Sequence, residues 1–110
     1  MTGAPLPIRE DSFITEVLQA PVPVLVYVWA DWCGPCRLMT QILNQMAPQW
    51  EGRLKMVKMH ADENPVTVKR YKVEGIPTLL LFRGEELLWS HEGVLNQAKL
   101  QQVLTAHLAG

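Results

Sequence analysis

Two cysteines in 110 residues are too few for a fold held together by disulfides. Cys33 and Cys36 are so close in the chain that a bridge between them staples no distant segments, and its purpose is chemical. An excess of charge of either sign is also missing. Ten Lys and Arg face eleven Asp and Glu, for a formal net charge of −1, and no basic stripe stands out. This excludes the electrostatic footprint of a nucleic-acid or anionic-membrane binder. No apolar run approaches the roughly 18 residues of a membrane span. Met1-Thr2-Gly3-Ala4-Pro5 lacks the charged and then apolar regions of a secretory signal, so a cytoplasmic protein is expected. There is no internal repeat, low-complexity tract or linker. One domain over residues 1–110 is expected, and a monomer. With 48% hydrophobic residues, that domain can build a core without staples.

Helix and strand signals alternate along the chain. Asp11 or Ser12 can cap a short helix with Phe13, Ile14, Val17 and Leu18 at helical spacing. Val24 to Trp29 is apolar and rich in β-branched residues on both faces, as in a strand covered on both sides. After Cys33, the residues Met39, Ile42, Leu43, Met46, Ala47 and Trp50 form one helical stripe. Pro48 is expected to bend or stop this helix, and Gly52 closes the region. Leu54 to Ala61 reads as a strand with Leu54, Met56 and Lys58 on one face and Val57 and Met59 on the other.

Asn64-Pro65 predicts a capped helix start, with the helix ending near Tyr71. Thr78–Phe82 and Glu86–His91 read as strands joined by Gly84-Glu85 in a type II′ hairpin turn. Asn96 caps a last helix whose inner face carries Leu100, Val103, Leu104 and Leu108. With a weak first strand near Leu6–Ile8, the order is β-α-β-α-β-α-β-β-α. This is an α/β fold with a central mixed sheet and helices on both faces.

A Cys-x-x-Cys directly after a buried strand, opening a helix, is a redox signal. The thiolate is the reactive species. Unsatisfied N–H groups and the partial positive charge of a helix N-terminus lower the pKa of the first thiol. Cys33, at the exposed helix start, is expected to attack a substrate disulfide. Cys36, one turn in and more buried, is expected to resolve the mixed disulfide. Gly34 and Pro35 let a substrate backbone approach and start the helix in a fixed geometry. Two other readings compete. One is a pair of structural cysteines. The other is half a zinc site, against which His60, His91 and His107 lack the paired spacing of zinc ligands.

Trp29-Ala30-Asp31-Trp32-Cys33-Gly34-Pro35-Cys36 resembles the W-A-x-W-C-G-P-C motif of the thioredoxin family. The resemblance continues through Asp62-x-Asn64-Pro65, Gly75-Ile76-Pro77-Thr78, Phe82 and Gly93, and covers nearly the whole chain. It implies the thioredoxin fold and reduction of protein disulfides through a Cys33–Cys36 redox disulfide. It also implies a cis bond before Pro77, in a loop that pairs with an extended substrate. Trp32, Gly34, Pro35, Gly75, Ile76, Pro77, Gly93 and Val94 are then the substrate-contacting surface, and Trp29 packs beneath it. No bound cofactor or metal is implied. Electrons come from an external thioredoxin reductase using NADPH or ferredoxin.

The chain departs from the family at two places. Tyr27 stands where the V-D-F-W-A stretch carries a buried aspartate, which by resemblance helps move the proton of the second cysteine. A phenol is a far poorer base near pH 7. Lys58 matches the lysine that partners this aspartate, and here must find another partner or extend to water. Gln41 replaces the proline of the family's A-P-I-L stretch, so the kink there is expected to weaken. A weak or slow reductase is therefore expected. The alternative is a protein-binding module with little turnover. An oxidant or isomerase is disfavoured by Gly34-Pro35, which resembles the dipeptide of reductants.

Overall fold

The computed structural model describes residues 4–108. Met1–Gly3 and the last two positions, which the single-domain expectation includes, lie outside the described residues. Five strands form one sheet: β1 (Leu6–Pro7), β2 (Val24–Trp29), β3 (Lys55–His60), β4 (Thr78–Arg83) and β5 (Glu86–Glu92). Their spatial order is β1-β3-β2-β4-β5. The first three run parallel; β4 pairs antiparallel with β2, and β5 antiparallel with β4.

Alternation along the strands divides the core into two layers. Leu25, Tyr27, Met56, Leu79 and Leu81 face α1 (Gly34–Trp50) and α3 (Gln97–Leu108), where Met39, Leu43, Met46, Leu100 and Leu104 meet them. Val24, Val26, Val28, Val57, Met59, Leu80 and Phe82 face the other way, toward Phe13, Val17 and the α2 side (Pro65–Arg70). Helices thus cover both faces, which explains why β2 and β4 read as unbroken apolar runs.

Three local expectations turn out differently. The segment after Arg9 is a 3-10 turn (Glu10–Ser12) followed by a π-helical turn (Ile14–Leu18), with no side-chain cap. The change of winding turns Ile14 out to solvent while Phe13 and Val17 stay buried. α1 runs through Pro48 to Trp50. The missing N–H falls in the last turn, and Trp50 is anchored there by its indole N–H to Gln101 Oε1 (3.2 Å) and by Arg53 over its ring. α1 is continuous across Gln41, in line with the weaker kink expected there.

Asn64 does not cap α2. Its amide bridges instead, accepting from the Glu10 N–H and donating to the His60 carbonyl, both at 2.8 Å. The Glu10 carboxylate takes over as acceptor for the Val66 N–H at 2.8 Å. The hairpin and the last cap follow expectation. Gly84 has φ +58° and Glu85 does not share that region, as type II′ requires and type I′ forbids. Asn96 Oδ1 accepts from the Lys99 N–H at 2.8 Å.

Candidate active site

β2 ends at Trp29, and three residues of turn carry the chain to Cys33, the N-cap of α1. Cys33 has extended backbone, and its sulfur accepts from the Cys36 N–H at 3.2 Å, so it sits among the unsatisfied donors of the helix start. A disulfide joins Cys33 and Cys36 with Cα atoms 5.4 Å apart. Cys36 is the deeper of the two, at 2% exposure. Cys33 is less exposed than a helix start suggests, at 6%, because Ala30, Trp29 and Ile76 pack around the pair. An ideal Cβ placed on Gly34 would meet nothing within 4 Å, so the space over the helix start is open.

Opposite the disulfide lies the turn before β4. Ile76–Pro77 is cis. Thr78 Oγ1 donates to the Gly75 carbonyl at 2.6 Å, and the Gly93 N–H donates to the Pro77 carbonyl at 2.7 Å, which ties this turn to the end of β5. Trp32, Gly75 and Ile76 line a shallow groove together with Asp62 and Glu74. Trp32 is 67% exposed and Val94 is also exposed, while Pro77 is buried. The indole N–H of Trp32 donates to Asp62 Oδ2 at 2.7 Å.

The thioredoxin family model matches residues 4–106. The thioredoxin of Acidithiobacillus ferridurans is 44% identical over 108 residues, covering 98% of this chain and all of that one. Thioredoxin 1 of Nostoc sp. is 41% identical over 101 residues, 92% of this chain and 94% of that one. The thioredoxin of Allochromatium vinosum is 43% identical over 100 residues, 91% and 94% of the two chains.

The chain belongs to the thioredoxin family. Like other thioredoxins it is a thiol–disulfide oxidoreductase, with a disulfide-capable Cys-x-x-Cys pair.

The residue that departs from the family motif quoted above lies beneath the disulfide. Tyr27 is 1% exposed, on the face of β2 that meets α1. Its hydroxyl donates to the Cys36 carbonyl at 2.8 Å and pairs with Thr40 Oγ1 at 2.9 Å. A phenol has a single proton. With that proton on the carbonyl, Thr40 is the donor in the second contact. Burial pushes the Tyr27 pKa above its usual 10.0, and the bond from Thr40 only partly opposes this. The phenol is thus a neutral strut between β2 and the first turns of α1.

Lys58 is the register partner of Tyr27 on β3, yet it does not stay beneath the cysteines. Its ammonium lies 5.3 Å from the ring centroid of Trp29, in a surface groove with Arg9, Asp31, His60 and Glu63. Among the described residues no carboxylate lies within ion-pair distance of it. The cation extends along the sheet to water and rests on an aromatic face.

Sequence reasoning passed over Asp31, Thr40, His60 and Asp62. Asp31 Oδ1 and His60 Nε2 are 2.7 Å apart, and the Asp62 N–H donates to His60 Nδ1 at 3.2 Å. Because Nδ1 accepts, the neutral ring carries its proton on Nε2 and donates it to Asp31. This bond holds the Asp31 carboxyl below its usual range. Their meeting follows from the register seen in the fold: Trp29 pairs with His60 across β2 and β3, which brings the residues at and just beyond both strand ends together. Among the described residues no group of three or more His, Cys, Asp or Glu side chains is placed to hold a metal, and no helix is long and apolar enough to cross a membrane.

Proposed function

We propose that this chain is a single-domain, monomeric, cytoplasmic reductant of protein disulfides that turns over slowly for its family. Cys33 is the attacking nucleophile. The helix N-terminus stabilises its thiolate, and the groove between Trp32 and Ile76 receives an extended segment of the substrate. The Cys33 thiolate attacks a substrate disulfide, forming a mixed disulfide and releasing one substrate thiolate. Cys36 then loses its proton and attacks Cys33, which expels the second substrate thiolate and leaves the Cys33–Cys36 disulfide. Gly34 and Pro35 keep the approach to Cys33 open, while Gly75, Pro77, Gly93 and Val94 complete the contact surface. A thioredoxin reductase, with NADPH or ferredoxin as electron source, returns the dithiol.

The slow step is proton loss from Cys36. The observation that carries this is the Tyr27 hydroxyl, whose proton is bonded to the Cys36 carbonyl where a base is needed. Lys58, drawn away to Trp29, supplies no second group there. The same observation favours the second reading, a docking module that holds partners at the groove with little turnover.

Insulin reduction with dithiothreitol, repeated with a reductase as electron source, tests the proposal. Measurable but slow turnover is expected with both. Capture of partners by Cys36→Ser through Cys33, with no wild-type turnover under either condition, establishes the second reading instead.

A further inference from the structure

One titratable side chain at the site has no role in the chemistry described above. His60 ends β3 and starts the 3-10 turn Ala61–Glu63, and its side chain is only 15% exposed. Both ring nitrogens are engaged. Nε2–H holds Asp31, two residues before Cys33, and Nδ1 accepts from the Asp62 N–H, which caps the turn. Asp62 in turn holds the Trp32 indole. The edge of the ring packs against Trp29, with centroids 4.9 Å apart. One imidazole thus joins the turn that carries Trp32 and Cys33 to the turn that carries Asp62.

We propose that His60 is a positioning residue of this site, and that its protonation releases the Asp62 turn and with it the indole of Trp32. This rests on the exchange chemistry proposed above only for its effect on rate.

The chemistry is asymmetric. A proton added to the neutral ring goes to Nδ1, the nitrogen that now accepts. That nitrogen then faces the Asp62 N–H as a second donor, and the cap is lost. The contact to Asp31 becomes an ion pair and persists. Imidazole is the side chain suited to such a change between pH 5 and 8. The charged groups around the ring are known. Asp31 faces it from the β2–α1 turn, Lys58 from β3, Asp62 and Glu63 from its own turn, and Arg9, paired with Glu63 at 3.4 Å, from the segment after β1. The Asn64 amide holds the His60 carbonyl, so the backbone stays in place while the ring changes partner.

The test compares wild type with His60→Asn. Asparagine places a side-chain carbonyl where Nδ1 lies and can accept from the N–H two residues on, but it does not titrate. In ¹⁵N–¹H spectra between pH 8 and pH 5, the wild-type Asp62 amide and Trp32 indole signals should move together with the His60 ring signals. In His60→Asn both should stay still. The ratio of wild-type to His60→Asn rates of insulin reduction cancels the intrinsic pH dependence of thiolate chemistry. It should be level above pH 7 and fall roughly two- to tenfold by pH 5, the range of one net hydrogen bond. The proposal is overturned if the indole and amide signals still titrate in His60→Asn, which would assign the change to another group. It is equally overturned if they stay still in wild type across the range. The spectra read the ring and the turn without any turnover, so absence of reductase activity would count against the proposed function and leave this test intact.

Discussion

The regions beneath and beside the disulfide handle polar groups in opposite ways. Beneath it, Tyr27 is fully buried and neutral, with its one proton on the Cys36 carbonyl and its oxygen occupied by Thr40. Beside it, Asp31, His60, Asp62 and Trp32 form a chain of polar contacts near the surface, and all but the Trp32 indole are ionisable. The first region adds rigidity where the family's motif would place an acid. The second puts the Asp31 carboxylate at the rim, where its charge is solvated at little cost. On the function proposed above, no base stands beneath Cys36, while titratable side chains remain beside the groove of Trp32 and Ile76. Slow resolution with intact docking is the expected consequence.

The most drastic way to break this comparison is to remove the resolving thiol. Cys36→Ser should lower turnover by orders of magnitude and accumulate mixed disulfides through Cys33, visible on non-reducing gels. Next in size is restoring an acid beneath the site. Tyr27→Asp should speed resolution of a preformed Cys33 mixed disulfide near pH 7 by on the order of 10²-fold, the low end for a placed general base. It should also lower stability, because a buried carboxylate replaces a satisfied phenol. Equal resolution rates in the two proteins would make Tyr27 neutral and remove the main support for the docking-module reading.

Tyr27→Phe sharpens the same contrast. It should cost about 1–2 kcal/mol in denaturant unfolding, from loss of the bonds to Cys36 and Thr40, and leave the resolution rate unchanged. Trp32→Phe acts on the other region. It removes the donor to Asp62 at an exposed position, so stability should change by less than about 0.5 kcal/mol while KM for a protein disulfide rises.

The smallest expected effect is on the acid limb of stability. The folded-state pKa of Asp31 lies below its usual 3.8, chiefly through the hydrogen bond to His60. A depressed carboxyl contributes stability that is present above the unfolded value and is lost as pH falls through the folded one. Asp31→Asn should therefore flatten slightly the loss of stability below about pH 4, measured by thermal unfolding at a series of pH values. The Asp31 side chain is largely exposed, so a larger change would contradict its placement at the solvated rim.

Structure formed by residues close in the chain was legible beforehand. The Trp29–Cys36 motif, the Gly84 turn and the Asn96 cap each depend on bonds spanning a few residues, so side-chain type and spacing sufficed. The two-layer core was equally legible from the alternation in β2, β3 and β4. The errors fall where a local preference met a distant partner. Asn64 has the chemistry of a cap, but Glu10, 54 positions away, brings both an N–H for Asn64 and a carboxylate for the helix start. Pro48 should end a helix, but Gln101 and Arg53 hold the turn that follows it.

For the site, residue types and spacing alone placed a disulfide-capable cysteine pair at a helix start and showed no acid at position 27. Where the Tyr27 proton goes, where Lys58 extends, and that Asp31 meets His60 across 29 positions came from the packed fold. The physical reason is the reach of hydrogen bonds. They act over about 3 Å, so their partners depend on which strand ends lie side by side. That adjacency is set by the β2–β3 register, a property of the packed sheet that no stretch of the sequence contains.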